Sequence, residues 1–332
     1  MSEPTVAVVI VNWNSGSMLA DCLQHLQRQT LAPTSIEVLD NGSTDGSTDC
    51  AARFPNVRFR LLGKNLGFSG ANNLAVAESQ AEFVALLNPD AYPHPEWLAA
   101  LVAAAQAHPE VAAFGSRQMM QTASSTIDGL GDVFHVSGLT WRRGFGRQLD
   151  GGDLVSREVF SACSAAALYR RADFLRVGGF DEGYFCYCED VDLGFRLLLA
   201  GMRSHYVADA VVQHVGAAAS GGHRSAFSIY YGHRNSVWTF VKNVPAPLFW
   251  LLLPLHIAQN LAIVACFVYR GQGNTILKSK WDAIKGVPAA WRQRSQVQAL
   301  RSISLGDVWA AMDHRLIPRD RPRIRKALKV ST

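Results

Sequence analysis

The amino-acid sequence predicts an α/β protein with a three-layer arrangement and a mostly parallel sheet. Short apolar runs alternate with helical patterns through the first 115 residues, as in folds that place helices on both faces of a sheet. The runs at 6–11 and 83–87 are continuously apolar, which is typical of parallel strands buried on both faces. With 332 residues, 48% of them hydrophobic, the chain can bury a sizeable core.

The predicted elements follow from these patterns in chain order. Strands are predicted at about 6–11, 35–39, 57–61 and 83–87, with helices at about 19–26, 49–53 and 70–78. After residue 114 glycines interrupt the pattern, and loops with short strands are expected. Further on, we predict a strand over 160–169, a helix over 190–200, a strand over 206–212 and a hydrophobic helix over 245–269.

Charge is unevenly distributed although the formal net charge is only +5. Residues 270–332 carry 14 Lys/Arg and 4 Asp/Glu, whereas residues 1–269 carry 18 and 23. A basic C-terminal segment indicates an anionic partner, either a membrane surface or nucleic acid. Since this segment has no zinc-finger, homeodomain or RNA-recognition motif, we expect no nucleic-acid partner.

The cysteines and the N-terminus indicate a cytoplasmic protein. None of the six cysteines forms a CxxC pair, so they are predicted to be reduced thiols, and metal binding by Cys186 and Cys188 is not favoured. No basic residue precedes the first apolar run, which argues against a signal peptide.

One uncharged stretch, residues 248–269, is long enough to cross a bilayer. Pro254, His256 and Asn260 lie within it, and a crossing would carry the basic segment to the far side. We therefore expect an interfacial or re-entrant helix over 245–269, with the basic segment bound to anionic lipid on the same side. A core helix packed on the preceding domain is the alternative.

Polar clusters follow three of the predicted strands, at 12–14, 40–45 and 88–90. Each alone is a turn signal, but ligands of open parallel sheets bind where the carboxyl ends of the strands meet. Asp90 ends an apolar strand, where a carboxylate requires a cation or a donor. Mg²⁺ and Mn²⁺ prefer such oxygen ligands and commonly bridge phosphates, so a diphosphate ligand is expected.

A second acidic cluster, Glu189, Asp190 and Asp192, begins the helix predicted over 190–200. Capping would require one acid, whereas a general base benefits from a neighbouring carboxylate that raises its pKa. Asp192 is also placed to pair with Arg196 one turn later.

The combined motifs resemble one family. The segments VVIVNWN, LDNGSTDGS, KNLGFSGANN, LLNPDA, GGFDEGYFCYCEDVDLGFRLLLAG and VVQHVG, within about residues 5–240, look like the family 2 glycosyltransferases of GT-A fold, most of all the rhamnosyltransferase branch. The resemblance implies an inverting transfer of a sugar, expected to be L-rhamnose from dTDP-L-rhamnose. The implied acceptor is a glycan or lipid-linked saccharide in bacterial surface polysaccharide synthesis. A UDP-sugar donor and an inactive nucleotide-sugar-binding scaffold at the membrane remain open.

The resemblance also implies a domain plan and a location. Residues 1–240 would form the GT-A catalytic domain, with a nucleotide-binding half at about 1–115 and an acceptor half at about 116–240. Residues 241–332 would form the hydrophobic helix and a basic membrane-associating tail, which places the enzyme on the inner face of the cell membrane.

Residue roles follow from the matching motif positions. Asp190 is the implied catalytic base, with Glu189 second, and Asp90 and His214 are the implied ligands of Mg²⁺ or Mn²⁺. Nucleotide contacts are expected from Asn12, Asp40, Asn65, Gly67, Asn72 and Asn88. Acceptor-side residues are expected at Asp181, Tyr184 and Trp141.

Overall fold

A computed structural model describes residues 4–216 and 225–315. Its strands are β1 (Val6–Asn12), β2 (Ser35–Asp40), β3 (Val57–Leu61), β4 (Phe83–Leu87), β5 (Ala91–Pro93), β6 (Val111–Met120), β7 (Ala123–Gly129), β8 (Asp132–Phe134), β9 (Thr140–Arg142), β10 (Arg157–Val159), β11 (Ala166–Arg170) and β12 (Arg203–His214). Its helices are α1 (Met18–Leu26), α2 (Gly67–Glu78), α3 (Trp97–Ala107), α4 (Arg171–Arg176), α5 (Glu189–Leu199), α6 (Ala226–Asn243), α7 (Ala246–Tyr269), α8 (Gly273–Ala299) and α9 (Leu305–Ala311).

One continuous sheet joins the two halves of the protein, in the order β10-β12-β6-β11-β4-β1-β2-β3. β1 pairs in parallel with β2 and β4, and β2 pairs in parallel with β3, as predicted. β11 is antiparallel to both β4 and β6, and β12 returns parallel to β6. The register sets Asn12 beside Asp40, so the carboxyl ends of the first strands meet at one edge.

Helices cover both faces of this sheet, which confirms the three-layer α/β fold. Ile10 of β1 packs in a core with Leu23 of α1, whereas its neighbour Val9 packs in a second core with Val76 of α2. Consecutive residues of a strand point to opposite faces, so a strand with a helix layer on each side must be apolar throughout.

Three segments differ from the sequence predictions. Residues 47–53 form a 3-10 helix, and the strand expected over 160–169 begins only at Ala166. Residues 160–165 lie outside the main sheet, and Ser161 forms an isolated bridge with Asp132 of the separate β8-β9 pair. Within the basic segment, residues 273–299 form the long helix α8, while residues 316–332 lie outside the described residues.

The C-terminal helices α6 to α9 pack as a layer beside α5 around a third core, which includes Phe240 and Phe249. Only Phe249, Leu252 and His256 of α7 are buried. His256 Nδ1 and the Ser137 carbonyl oxygen are hydrogen-bonded at 2.8 Å. The His256 ring stacks on the Phe240 ring, with 4.0 Å between the ring centroids. The alternative of a core helix is therefore wrong: α7 touches the domain along one narrow face and leaves most of its apolar surface open.

Candidate active site

A cleft of about 540 Å³ lies beyond the carboxyl ends of β1 and β4. Segments from both halves of the chain form its walls, including the N-termini of α2 and α5. Eight of the predicted site residues line it: Asn65, Gly67, Asn88, Asp90, Trp141, Glu189, Asp190 and His214. The predicted convergence of distant polar clusters thus occurs.

Asn12 and Asp40 lie directly behind the cleft wall. Asp40 is 4% exposed and accepts hydrogen bonds from Asn12 Nδ2 at 2.7 Å and from Ser43 Oγ at 2.6 Å. Asn12 Nδ2 also donates to Ser47 Oγ at 2.9 Å. These bonds fix the loop that follows β2, and the next residue, Asn41, lines the cleft instead.

The loop before α2 is held by short polar contacts. Asn65 Oδ1 accepts from the Gly67 amide at 2.8 Å, and Asn41 Nδ2 donates to the Gly67 carbonyl at 3.0 Å. Gly67 has a φ of +74°, and a Cβ there would lie 2.6 Å from Phe185. The Phe68 amide donates to the Phe185 carbonyl at 2.7 Å, and the buried Asn72 bonds back to Phe68 behind the wall.

Asp90 and His214 form one polar centre in the cleft. His214 is 1% exposed, its Nε2 lies 3.3 Å from Asp90 Oδ1, and its Nδ1 shares a hydrogen bond with Asp128 Oδ2 at 2.8 Å. Asp128 also accepts from Arg142 at 2.6 Å. Burial lowers the pKa of His214, but the charge of Asp90 and the bond to Asp128 outweigh it and raise that pKa to about 9.

This centre fits a divalent cation. His214 Nε2 is buried and makes no aligned hydrogen bond among the described residues, although it points at a carboxylate. A metal-binding histidine commonly forms a hydrogen bond to a carboxylate through its other ring nitrogen, as His214 Nδ1 does with Asp128. Carboxylate and imidazole together suit Mn²⁺, and a cation bound at Nε2 would displace the proton there.

A second polar centre consists of carboxyl groups at the start of α5. Ligand atoms of Asp132, Cys163 and Asp190 lie within 4.8 Å of one another, and Glu189 lies beside them. Gly194 allows this approach, because a Cβ there would lie 2.2 Å from Ser161 Cβ. Burial raises the pKa of the Cys163 thiol, so a thiolate ligand is disfavoured and this centre fits a cation less well than Asp90 and His214.

The carboxyl groups of this centre differ in acidity. Burial raises the pKa of Asp132 and of Glu189 well above their usual ranges, and the charge of Asp190 raises both further. Burial also raises the pKa of Asp190, but Arg142 and the Val191 amide, 2.8 Å from its Oδ1, oppose that effect. Asp190 is therefore the group of this cluster that most readily carries the negative charge.

Comparison with known proteins decides the family. Residues 7–178 match the family described as glycosyl transferase family 2. The chain belongs to this family. It is 34% identical over 281 residues to the N-acetylglucosaminyl-diphospho-decaprenol L-rhamnosyltransferase of Mycobacterium tuberculosis, covering 74% of this chain and 88% of the relative. It is 28% identical over 211 residues to an O-antigen chain rhamnosyltransferase of Salmonella typhimurium, covering 63% and 66%.

Solved structures of glycosyltransferases share the fold. A mannosyltransferase from Pyrobaculum calidifontis in complex with GDP-Man and Mn²⁺ superposes with a TM-score of 0.55 at 17% identity, covering 93% of this chain and 88% of the other. GalNAc-T7 with UDP, GalNAc and Mn²⁺ superposes with a TM-score of 0.59 at 16% identity, covering 72% and 48%. The predicted GT-A fold and the predicted rhamnosyltransferase-like family 2 membership are confirmed, and the chain is a glycosyltransferase.

Two predicted acceptor-side residues of this glycosyltransferase do not line the cleft. Asp181 forms an ion pair of 2.6 Å with Lys242, and the Tyr184 hydroxyl, on a side chain 1% exposed, is 3.2 Å from Asp192. Asp192 pairs with Arg196 at 2.7 Å, as predicted, and with Lys242 at 2.8 Å. This buried network anchors α5 from behind the cleft.

Aromatic side chains form much of the cleft wall of the glycosyltransferase. Trp141, the third predicted acceptor-side residue, lines it. Phe227 and His233 of α6 line the cleft, as does Phe267 of α7, whose ring lies 5.0 Å from His233. The cleft therefore reaches the apolar C-terminal helices.

Several residues of the two polar centres were not predicted from the sequence: Asp128, Asp132, Arg142 and Cys163. The signal available for Asp128 and Asp132 was their place as lone acids within the apolar, glycine-containing stretch TIDGLGDVF, since buried carboxylates need partners. Nothing in that stretch identifies the partners, which come from distant segments.

Proposed function

We propose that this glycosyltransferase moves L-rhamnose from dTDP-L-rhamnose onto a glycan or lipid-linked saccharide in bacterial surface polysaccharide synthesis. The names of the relatives from Mycobacterium and Salmonella support the sugar and the acceptor class. The observation that carries the proposal is one cleft with two separate centres, the Asp90–His214 pair and the carboxyl cluster around Asp190. A UDP-sugar donor is the second candidate, because the Mn²⁺ complex of GalNAc-T7 holds UDP in the same fold.

Asp190 is proposed as the catalytic base. Its carboxylate takes the proton of the acceptor hydroxyl while the hydroxyl oxygen bonds to the anomeric carbon of the donor. The bond from that carbon to the diphosphate oxygen breaks on the opposite side, which inverts the configuration and releases the nucleoside diphosphate. Asp132 and Glu189 keep their protons more readily, so Asp190 carries the negative charge of the cluster, and burial raises the pKa of its carboxyl group.

Asp90 and His214 are proposed to hold Mg²⁺ or Mn²⁺ beside the diphosphate. When bound, such a cation supplies Lewis-acid stabilisation of the negative charge that develops on the leaving group. Asp128 keeps His214 in the orientation that presents Nε2 to the cleft, and Arg142 in turn holds Asp128. Both structural neighbours with Mn²⁺ support metal dependence.

The donor is proposed to lie along the nucleotide-binding half, residues 1–115. Asn65, Gly67 and Asn88 line the cleft there, whereas Asn12, Asp40 and Asn72 shape the wall from behind. The acceptor is proposed to lie on the side of residues 116–240, with Trp141 as a stacking surface. Asp181 and Tyr184 contribute by holding α5.

A peripheral position on the inner membrane face is proposed for the C-terminal layer. Exposed apolar side chains of α7 and α8 cover one surface, here called the hairpin face: Trp250, Leu251, Leu255, Ile257, Leu261, Val268, Tyr269, Leu277, Trp281, Ile284 and Trp291. Exposed cations flank it at Arg270, Lys278, Lys285 and Arg292. This composition is typical of helices that lie in the interface of an anionic membrane.

The anchoring of α7 favours lying on the membrane over crossing it. α7 is long and apolar enough to cross a bilayer. However, His256 near its middle bonds to Ser137 of the catalytic domain, and Phe249 contacts the Arg294 guanidinium of α8. A crossing helix would have to give up these polar contacts or carry them into hydrocarbon, which is costly.

The reaction is tested by donor turnover of the purified protein with dTDP-rhamnose, UDP-glucose, UDP-galactose and GDP-mannose, with and without Mn²⁺. Release of dTDP from dTDP-rhamnose with acceptor, lost in Asp190→Asn, is expected. Binding without turnover in the wild type would support the inactive scaffold instead, and turnover of a UDP-sugar alone would identify the second candidate.

Membrane attachment is tested by flotation with vesicles containing phosphatidylglycerol. Replacing Trp250 and Leu261 of the hairpin face with Glu should abolish flotation. Leu61→Glu is the matched control, because Leu61 is 70% exposed but lies on β3 at the far edge of the sheet. Equal flotation of all three proteins would contradict the proposed face.

A further inference from the structure

Three of the four residues before the acidic turn of α5 have a strained backbone. Phe185 has a φ of +65°, Tyr187 of +68° and Cys188 of +65°. Residues with a Cβ rarely adopt these left-handed values, because the Cβ crowds the backbone carbonyl. Such strain persists only where surrounding contacts enforce it, and it is concentrated at functional sites.

Asn235 of α6 provides the contacts that hold this backbone conformation. Its side chain is fully buried, and Nδ2 lies 3.0 Å from the Tyr184 carbonyl, 2.9 Å from the Cys186 carbonyl and 2.7 Å from the Tyr187 carbonyl. One amide nitrogen thus contacts three carbonyls in the turn that joins the 3-10 helix Glu182–Tyr184 to α5. Arg234 adds a bond to the Tyr184 carbonyl at 2.9 Å.

The other side of the segment is tied to the donor side of the cleft. The Phe185 carbonyl accepts from the Phe68 amide at 2.7 Å, and the Phe185 ring fills the space that a Cβ on Gly67 would occupy. Residues 185–188 therefore bridge α2 and α6. Cys188 is the residue from which α5 starts, so its dihedral angles set the direction in which Glu189 and Asp190 leave the bridge.

We propose that Asn235 is a positioning residue for the catalytic base: by holding the carbonyls of Tyr184, Cys186 and Tyr187 it fixes the left-handed path that aims Asp190 into the cleft. This inference rests on the proposed function of Asp190. Asn235 does not line the cleft and has no contact with substrate to offer, so it acts through the segment alone.

The test compares Asn235→Ala with Asn243→Ala, in the full chain. Asn243 lies on the same helix, is equally buried and donates to Asp192 at 2.8 Å, but does not touch residues 185–188. We expect Asn235→Ala to lower kcat about 10- to 100-fold, because small displacements of a reacting group have effects of this size. The dissociation constant for the nucleotide should change less than about twofold, since residues 1–115 keep their contacts.

A double-mutant cycle separates positioning from a purely structural role. Cys188→Gly removes the Cβ that makes a left-handed φ unfavourable. The conformation of residues 185–188 should then depend less on the contacts of Asn235 with the three carbonyls. The kcat loss caused by Asn235→Ala should therefore be several-fold smaller in the Cys188→Gly background than in the wild type. Should Asn235→Ala fail to fold, Asn235→Ser, whose hydroxyl can still donate one bond, replaces it in the same cycle.

The outcomes are distinct. Equal kcat losses in Asn235→Ala and Asn243→Ala, or no rescue by Cys188→Gly, would overturn the inference while leaving the proposed function intact. An inactive wild type would instead overturn the proposed function. In that case hydrogen exchange of the amides of residues 184–190 still tests whether Asn235 holds this segment. Faster exchange is expected in Asn235→Ala but not in Asn243→Ala.

Discussion

Asp192→Asn should strongly destabilise the protein, because Asp192 is the centre of the buried network behind the cleft. Its side chain is 0% exposed and pairs with Arg196 at 2.7 Å and with Lys242 at 2.8 Å. The asparagine would leave Arg196 without its carboxylate and Lys242 with Asp181 alone. Removing one partner of a buried ion pair costs about 3–5 kcal/mol, and since Lys242 keeps a partner we expect about 3 kcal/mol.

The acid dependence of stability gives a second measure of the same network. Burial would raise the pKa of Asp192, but the charges of Arg196 and Lys242 outweigh it and lower that pKa to about 2. An unfolded aspartate has a pKa of about 3.9, so ionised Asp192 contributes roughly 2.5 kcal/mol at neutral pH. Because the folded pKa is the lower one, this contribution is complete above the unfolded pKa and is lost as the pH falls through the folded pKa.

The assay is urea unfolding followed by tryptophan fluorescence, at neutral pH and then between about pH 4 and about pH 2. The free energy of unfolding should fall more steeply with acid in the wild type than in Asp192→Asn. Glu78→Gln is the control, since the exposed Arg60–Glu78 pair should leave the urea midpoint nearly unchanged. A loss below about 1 kcal/mol in Asp192→Asn, or parallel acid slopes, would refute the assigned role of the network.

Three further predictions concern the cleft itself. Asp190→Asn should lower sugar transfer about 10²- to 10⁴-fold without weakening nucleotide binding, as measured by turnover and calorimetry; weaker binding of equal size would contradict its role as base. Asp128→Asn should lower Mn²⁺ affinity about 10- to 100-fold by releasing His214, in a titration of Mn²⁺ alone, and unchanged affinity would place the metal elsewhere. Gly67→Ala should cost about 2 kcal/mol in urea unfolding, because its Cβ would meet Phe185 at 2.6 Å, and wild-type stability would show that the loop yields freely.

The parts of the site at strand ends were predictable from the sequence. Asp90 comes three residues after the end of an apolar strand, and parallel strands bring their carboxyl ends to one edge whatever their separation along the chain. Asp190 stood out because three acids in one helical turn exceed what capping requires. Their positions therefore follow from local pattern plus one rule of topology.

The supporting residues were not predictable in this way. Asp128 and Arg142 lie on short strands among glycines, and their meeting with His214 depends on how β7, β9 and β12 pack. Asn235 sits in a helix whose pattern gives no sign that it holds carbonyls fifty residues earlier. Long-range contacts of this kind produce no periodic pattern of residue types in the sequence.

The helix α8 was not predicted, because its many basic residues drew attention away from its helical spacing. Its buried positions Ile276, Ser279, Ala283, Ala290 and Val297 are spaced by three, four and seven residues, which is a helical pattern. The lysines and arginines among them suggested a basic, membrane-associating tail instead. The spacing of these buried positions alone predicts the helix.

Phe267 lies on α7 and also lines the cleft, so in the proposed membrane position the reacting sugar would be held close to the bilayer. If the hairpin face rests on the membrane, the acceptor hydroxyl must reach Asp190 from a height of roughly one helix diameter, about 10 Å. A saccharide of one or two units on its lipid spans that height, whereas the growing tip of a long chain extends far beyond it. In the proposed membrane position, the cleft would therefore favour a short lipid-linked acceptor over the tip of a long chain.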